Sequence, residues 1–434
     1  MIATSKKSSL SIIDLFAGCG GLSLGLEMSG FETLLFSELN KDAAETFVRN
    51  RTASLAAPKL IQVGDIHTLT QTRATALRGH LRNWESLGIR EVDLVCGGPP
   101  CQGYSGIGHR RTFKLEKQEI PSNHLFQEMI AVIKTVQPRM FLFENVAGLL
   151  SSRWTPSGDK GEIFRDVVGK DIGFGTLRDY CFRWQLIHAK DYGVPQNRPR
   201  ILLLGIRKDQ RCLNSGRIAR PVRAHDRNSG DAVEAGWIPK PNGNPPHLVD
   251  LLSDLVNARF EYGGQDSRYA CAPKTAIQRW LRSREGKLTL PKGAALTEQE
   301  YSAHSEKIVT KFKYMLENDG EIPPALRTKK FAQRVLPRKW DESGPSITAT
   351  SLADDYVHYS QPRTLTVREW ARLQTFPDWY QFAGSRTTGG RRRAGDPSIG
   401  DWSRDVPKYT QIGNAVPVLL AKAVGDHLRD LLEA

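Results

Sequence analysis

Between Ser9 and Gly30 the chain reads SLSIIDLFAGCGGLSLGLEMSG, an apolar run of strand length that breaks into glycines and then opens a helix. Few local patterns limit a fold as tightly. A helix packed back along a strand returns the chain to its starting edge, where the next strand pairs in parallel. FETLLFSEL follows as a second strand and KDAAETFVRN as a second helix, and EVDLVCGG and PRMFLFENV are further short runs of buried-strand length. Between those two, Leu125, Met129, Val132, Ile133 and Val136 fall on one helical face. WQLIHAKDYGVPQ and RILLLGIRK continue the β-rich pattern. The alternation predicts an α/β fold with a doubly wound, parallel sheet.

After Lys208 this texture is lost. As far as Gly344 the chain is rich in Arg, Pro, Gly and Asn, and a second domain is expected there. VPVLLAKAVGDHLRDLLEA, at the end, is again an amphipathic helix. No apolar run approaches the roughly 20 residues of a membrane span, so no membrane partner is expected. The opening MIATSKKSSLSIIDLF has lysines before an apolar run, as a signal peptide would. Asp14 interrupts the run and glycines follow it, which favours a first strand over a secretory signal.

The chain has 61 Lys plus Arg against 47 Asp plus Glu, a formal charge of +14, with basic clusters at RKDQRCLNSGRIARPVR, RTKKFAQRVLPRK and GGRRRAG. All three lie beyond Ile206, which points to a polyanion as partner. The six cysteines are scattered, with no Cys-x-x-Cys pair and no His at zinc spacing. Free thiols in a reducing cytoplasm are expected, and no metal.

The DLFAGCGG turn exposes backbone amides at a helix start and lets a ligand approach closely. Glu38 stands about 20 residues beyond Gly18, at the end of the second strand, where a carboxylate can bind a ribose. The dinucleotide pattern wants a third glycine where Ser23 stands, and Asp14 sits poorly with a pyrophosphate. A nucleoside without phosphates, such as S-adenosylmethionine, suits the turn better. Asp65, in VGDIHTL, follows a third strand and could reach an adenine amino group.

In VCGGPPCQGYS, Pro99 and Pro100 fix φ near −65° and aim Cys101 at the carboxyl edge of the sheet, where ligands bind in open α/β folds. QGYSGIGHRR behind it has the composition of a mobile loop closing over an anionic substrate. Glu144 follows four apolar residues at a neighbouring strand end. A carboxylate there is expensive to leave unpaired and is poised to donate or share a proton. Arg198 and Arg200, two apart on an extended run, are expected to face one side, with donors suited to a carbonyl oxygen or a phosphate.

Taken together these residues resemble the cytosine-5 DNA methyltransferases, of the bacterial restriction–modification type, nearly end to end. DLFAGCGGLSLGLE, SELN, GDI, GGPPCQGYS, ENV, QNRPR, RTLTVREWARLQTFPD and YTQIGNAVP occur in the family's order. The resemblance implies a Rossmann-like mixed sheet and a catalytic and cofactor-binding domain over residues 1–207 plus 405–434. Residues 208–404 would be the target-recognition domain, with a supporting hinge at 363–384. It implies Cys101 as nucleophile, with Glu144, Arg198 and Arg200 around the base. Phe16, Gly18, Gly20, Gly21, Leu22, Glu38, Asp65, Ile66, Pro100, Asn414 and Val416 would hold S-adenosyl-L-methionine, leaving S-adenosyl-L-homocysteine as product. Leu39 stands where relatives often carry an aromatic residue. Double-stranded DNA is the expected partner, with a monomer in the cytoplasm at the nucleoid, and a cognate restriction endonuclease is left open. The rivals are a tRNA cytosine-5 methyltransferase, a non-catalytic DNA-binding regulator on the same scaffold, and a nicotinamide or flavin enzyme. The last fails at Ser23.

Overall fold

The computed structural model describes residues 10–51, 60–100, 121–219, 230–327, 333–341, 344–347, 355–387 and 405–434. Seven strands form the main sheet: β1 (Leu10–Leu15), β2 (Phe31–Ser37), β3 (Ile61–Val63), β4 (Leu94–Gly97), β5 (Met140–Val146), β6 (Tyr180–His188) and β7 (Pro199–Arg207). Their spatial order is β3-β2-β1-β4-β5-β7-β6. β1 to β5 pair in parallel, whereas β7 runs antiparallel between β5 and β6. The sheet is therefore mixed, as the resemblance implied, where alternation alone led to a wholly parallel one. Only a one-turn 3-10 helix, Ala189–Asp191, separates β6 from β7, so the chain turns back into the sheet without a crossover helix.

The strand order reverses between β1 and β4. The chain first travels outward through α1 (Gly21–Met28) and α2 (Lys41–Arg49). It returns to the other side of β1 through α3 (His67–Ser86), which is broken at Gln71–Ala74. In doubly wound sheets the crevice at such a reversal is the ligand site.

Side chains alternate between two cores, as strand pleating requires. Ile13, Leu15, Phe141, Phe143 and Leu203 join Leu77 of α3 and Met129, Val132 and Ile133 of α4 (Leu125–Val136) on one face. Ile12, Leu142, Leu202 and Leu204 face the other way, onto Leu22 and Leu26 of α1 and a C-terminal helix at Val418–Leu432. That helix approaches α1 very closely. A Cβ added to Gly25 would lie 2.4 Å from the Ala421 Cβ, so only glycine lets the two backbones meet.

The second half carries short elements: helices at Leu248–Leu252, Ala276–Leu281 and Glu306–Glu317, and two small strand pairs. Its packing does not begin at Lys208, where the composition changes. Cys212, Leu213, Ile218, Trp237 and Ile238 still belong to the core of the main sheet. A third core then mixes Leu251, Leu281, Ile347 and Tyr356 with Cys19, Leu24, Ile412 and Val418 of the sheet half. Between them stands the helix Val367–Leu373, which begins with a capping box: Thr366 Oγ1 accepts the Glu369 N–H, and Glu369 accepts the Thr366 N–H at 2.9 Å.

Around that helix lies a lattice of fully buried ion pairs. Arg363 grips both oxygens of Glu369 at 2.6 and 2.8 Å. Arg372 pairs with Asp378 at 2.6 Å and with Asp254, which also binds Arg282. Burial would raise the Glu369 carboxyl, but the Arg363 charge and its hydrogen bonds hold it down at about 2. Asp378 is likewise lowered, its burial outweighed by Arg372.

Candidate active site at the carboxyl edge of the sheet

β1 ends at Leu15, and the turn beyond it takes left-handed backbone at Phe16, Gly18 and Gly20 (φ 59°, 56° and 84°). It is fastened to the end of β2. The Ala17 N–H donates to the Ser37 carbonyl at 2.9 Å, and the Gly18 N–H to Glu38 Oε2 at 2.9 Å. The three candidate glycines differ in why they are glycine. A Cβ on Gly18 would meet nothing within 4 Å, so only its φ demands the residue, and that side of the turn is open. A Cβ on Gly20 would come within 2.8 Å of Phe47 and Arg51, and one on Gly21 within 2.4 Å of the Val416 carbonyl oxygen. At those two positions the close neighbour is the protein itself.

Two expectations about this turn change. Ser23, where a third glycine would stand, is buried and gives its hydroxyl to Asp14 Oδ2. Asp14 is therefore enclosed under the turn rather than set beside a ligand. Burial pushes its carboxyl up to about 7, against the lowering effects of Ser23, Arg51 and Cys96. The Leu22 side chain also lies in the core, which leaves only its backbone for a ligand.

Glu38 keeps both oxygens in backbone bonds, Oε2 to Gly18 and Oε1 to the Asn40 N–H at 2.7 Å. Burial raises its pKa, and the amides of Asn40, Gly18 and Leu39 pull the other way. Next to it, Leu39 is 76% exposed, an apolar side chain left open at a strand end. Asp65, after β3, is exposed and accepts the His67 N–H at 3.0 Å, while Ile66 is buried in the core beneath.

β4 ends at Gly97, and Gly98, Pro99 and Pro100 follow it. Cys101 and the loop behind it lie outside the described residues. The strand end that carries the cysteine is firmly held: Asn145 Nδ2 donates to the Pro99 carbonyl at 3.2 Å. Gly98 makes room for Glu144, whose Oε2 would lie 2.8 Å from an added Cβ. Glu144 Oε1 meets Arg200 Nε at 2.7 Å, with both side chains 11% exposed. The carboxylate that was expected to need a partner has one, across the antiparallel β5–β7 pairing.

Arg198 is occupied differently from Arg200. Its side chain is 2% exposed and donates to backbone carbonyls: Ile347 through Nη1, and Gly413 and Ala415 through Nη2 at 2.8 and 2.9 Å. Burial, with Arg200 nearby, pulls its pKa well below the ordinary arginine value, and Glu144 pushes it back up. The expectation that both arginines face the base is therefore corrected: one pairs with Glu144, the other braces the chain. Asn414 beside this brace is exposed, and Val416 is half-buried. Asn145, Gly98, Gln196 and Gln374 were missed as contributors. All four sit inside motifs read from the sequence, but nothing local says what they touch.

The five described cysteines are free. Cys19, under the turn, is pushed up to about 12 by burial and by Glu38, which makes it a poor nucleophile. Among the described residues no cluster of His, Cys, Asp and Glu could hold a metal, and no helix is long and apolar enough to cross a membrane.

A reversal of strand order, a glycine turn tied to a carboxylate, and an ion pair beside a proline-fixed strand end lie together at the carboxyl edge of an α/β sheet, where such folds bind ligands. The family described as C-5 cytosine-specific DNA methylase matches residues 10–430, and the chain belongs to it. It is accordingly of the DNA (cytosine-5-)-methyltransferase class expected from its motifs. Type II methyltransferase M.DdeI of Desulfomicrobium norvegicum is 29% identical over 96% of this chain and 88% of its own length. M1.HphI of Haemophilus parahaemolyticus is 30% identical, covering 96% and 86%. M.XorII of Xanthomonas oryzae pv. oryzae is 30% identical, covering 97% and 84%. Among solved structures, a prophage-encoded E. coli protein described as a DNA modification methyltransferase shares the fold. Its TM-score is 0.65 at 22% identity, over 98% of this chain and all of that one (100%).

Proposed function

We propose that the chain methylates carbon-5 of a cytosine flipped out of a specific duplex DNA sequence, as the modification enzyme of a restriction–modification system. The observation that carries this reading is the Glu144–Arg200 pair, 2.7 Å apart at the strand ends beside Pro100, one residue before the thiol. Cytosine carbon-5 is a poor nucleophile. A Cys101 thiolate adding to carbon-6 forms a sulfur–carbon bond, breaks aromaticity and moves electron density onto carbon-5. Glu144 holds ring N3 and the exocyclic amine, stabilising the charge that attack creates, and Arg200 donates to the base carbonyl. After carbon-5 is methylated, water takes its proton, the freed electron pair re-forms the carbon-5–carbon-6 double bond, and the sulfur–carbon-6 bond breaks to return the Cys101 thiolate. Neither face of a stacked base is open to the thiol, so the target must leave the duplex, at a cost of a few kcal/mol.

Residues at the reversal fit S-adenosyl-L-methionine. Glu38 retains acceptor capacity for ribose hydroxyls, Gly18 is open on its Cβ side, and Leu39 offers an apolar surface beside them. Phe16, Gly20, Gly21, Leu22, Asp65, Ile66, Pro100, Asn414 and Val416 complete the proposed set, leaving S-adenosyl-L-homocysteine after turnover. When bound, the cofactor supplies an electrophilic methyl group. Residues 208–404, with three basic clusters along them, are read as the target-recognition region. DNA affinity would then fall steeply with salt. The reading places a monomer on DNA in the cytoplasm, beside a cognate endonuclease where one is present.

The test is methyl transfer from labelled cofactor to duplex DNA and to tRNA, followed by duplex carrying 5-fluorocytosine at the target. Label on DNA alone and a denaturant-resistant adduct on the fluorinated site are expected, because fluorine blocks the final proton loss. Label on tRNA alone would reassign the substrate. Transfer to neither would leave a regulator.

A further inference from the structure

Residues Gln196–Arg198 touch three distant parts of the chain at once. The Asn197 N–H donates to the Pro345 carbonyl at 2.9 Å, and Gln196 Oε1 accepts the Ile347 N–H at 3.1 Å. On the hinge side, Gln196 Nε2 donates to the Leu373 carbonyl at 2.6 Å and to the side-chain oxygen of Gln374. On the C-terminal side, Arg198 Nη2 donates to the Gly413 and Ala415 carbonyls. Gln374 Nε2 donates to the carbonyls of Ile412 and, again, Ala415, both at 2.8 Å. The Ala415 oxygen thus accepts from two buried side chains, one from each half of the molecule. The far side of the same segment is closed by the glycine turn, since a Cβ on Gly21 would lie 2.4 Å from the Val416 oxygen and 3.1 Å from the Ala415 Cβ.

Gln196 and Gln374 are wholly buried and Arg198 nearly so. Burying a guanidinium against carbonyls carries a desolvation cost, and an apolar side chain of similar volume often stabilises a core as well or better. What the polar version adds is geometry. Planar donors fix where the carbonyls of Gly413 and Ala415 sit relative to the first residue of β7, and so relative to Arg200 and Glu144.

We infer that Gln196, Arg198 and Gln374 are positioning residues. They clamp the Gly413–Val416 segment between the glycine turn and the start of β7, and tie that clamp to Pro345–Ile347 of the second half. The inference rests on the proposed cofactor role of Asn414 and Val416. It assigns the placement of those residues to side chains that touch neither the base nor the cofactor.

The experiment measures S-adenosyl-L-homocysteine binding to the full chain by calorimetry, for Arg198→Met, Gln374→Met, the double variant and Asn414→Ala. Each single positioning variant should raise Kd about tenfold, the scale set by displacing a binding group by a fraction of an ångström. The double variant should raise it by less than the product, because both act on the Ala415 carbonyl. In turnover the loss should fall on KM for S-adenosyl-L-methionine more than on kcat. An unchanged Kd with only a lowered unfolding midpoint, or effects that simply multiply, would overturn the clamp. Should Arg198→Met fail to fold, Gln374→Met decides alone. Asn414→Ala separates the two ideas. Unchanged affinity there removes the cofactor reading of the segment, whereas a loss there with none in the other variants removes the clamp alone.

Discussion

The strand-end site and the hinge around Val367–Leu373 both bury acids, and they treat them oppositely. In the hinge every acid is matched: Glu369 lies in the fork of Arg363, and Asp254 and Asp378 share Arg372. At the strand ends, Asp14 has a serine hydroxyl, Glu38 has backbone amides, and Glu144 meets, among the described residues, one arginine nitrogen. The hinge acids are fully spoken for, and the arginines beside Glu369 and Asp378 hold those two carboxyls low. Asp14 is closed off beneath the turn, whereas Glu38 and Glu144 keep bonding capacity in reserve. A buried network that satisfies every member holds a structure still, whereas one left partly open can take up a ligand.

That contrast predicts which substitutions cost rate and which cost stability. Cys101→Ala should lower methyl transfer by on the order of 10⁴-fold or more while DNA binding by gel shift persists. Glu144→Gln should lower single-turnover transfer by roughly 10²- to 10³-fold, the scale of losing one group that stabilises developing charge. Retained turnover in either variant breaks the assignment of the strand ends as the chemical site. Next in size, Arg372→Met in the hinge should lower unfolding free energy by about 3 to 5 kcal/mol, because it leaves Asp378 buried without its cation and Asp254 with Arg282 alone. A denaturant midpoint close to that of the parent would show that the lattice is not what holds the two halves together.

The two regions should also differ in the sign of their pH response. The Asp14 carboxyl, raised by burial from 3.8 to about 7, binds a proton in the folded chain where the unfolded chain does not. Its contribution is present below its unfolded pKa and is lost as pH rises through about 7. The Glu369 carboxyl is held at about 2 against an ordinary 4.5. Its contribution is full above 4.5 and is lost as pH falls towards 2. Urea midpoints across pH should therefore show Asp14→Asn flattening the slope between about 4 and 7, and Glu369→Gln flattening the acid limb. The same limb from both variants would erase the distinction. The smallest effect belongs to Leu39→Ala. An exposed side chain should cost no more than about 0.5 kcal/mol of stability. Cofactor affinity should still drop a few-fold, and an unchanged affinity would remove Leu39 from the site.

Much of the sheet half can be read from the chain because its signals are local. Strand pleating sorts Phe141 and Phe143 from Leu142, and the glycine turn needs only the residues beside it. Glu144 was legible for the same reason, as a charge closing an apolar run. Arg198 was not. Its partners lie 149 and more residues away in sequence, and no periodicity distinguishes an arginine that will meet a base from one that will meet a carbonyl. Asp14 was misread because its environment is set by Ser23 and Cys96, on a different helix and strand. The composition change at Lys208 also misplaced the packing boundary, since Trp237 and Ile238 are buried with the sheet.

Residue order by itself determined the strand and helix sequence, the glycine turn, the proline-fixed cysteine and the carboxylates at the strand ends, because each depends on neighbours within one turn or one strand. Tertiary structure alone decided that β7 runs backwards, that Arg200 faces Glu144 while Arg198 does not, and that Gln196 and Gln374 meet at one joint. Those outcomes depend on which distant carbonyls and charges are left without partners once the chain has closed, and a buried polar group must accept whichever partner the fold brings within reach.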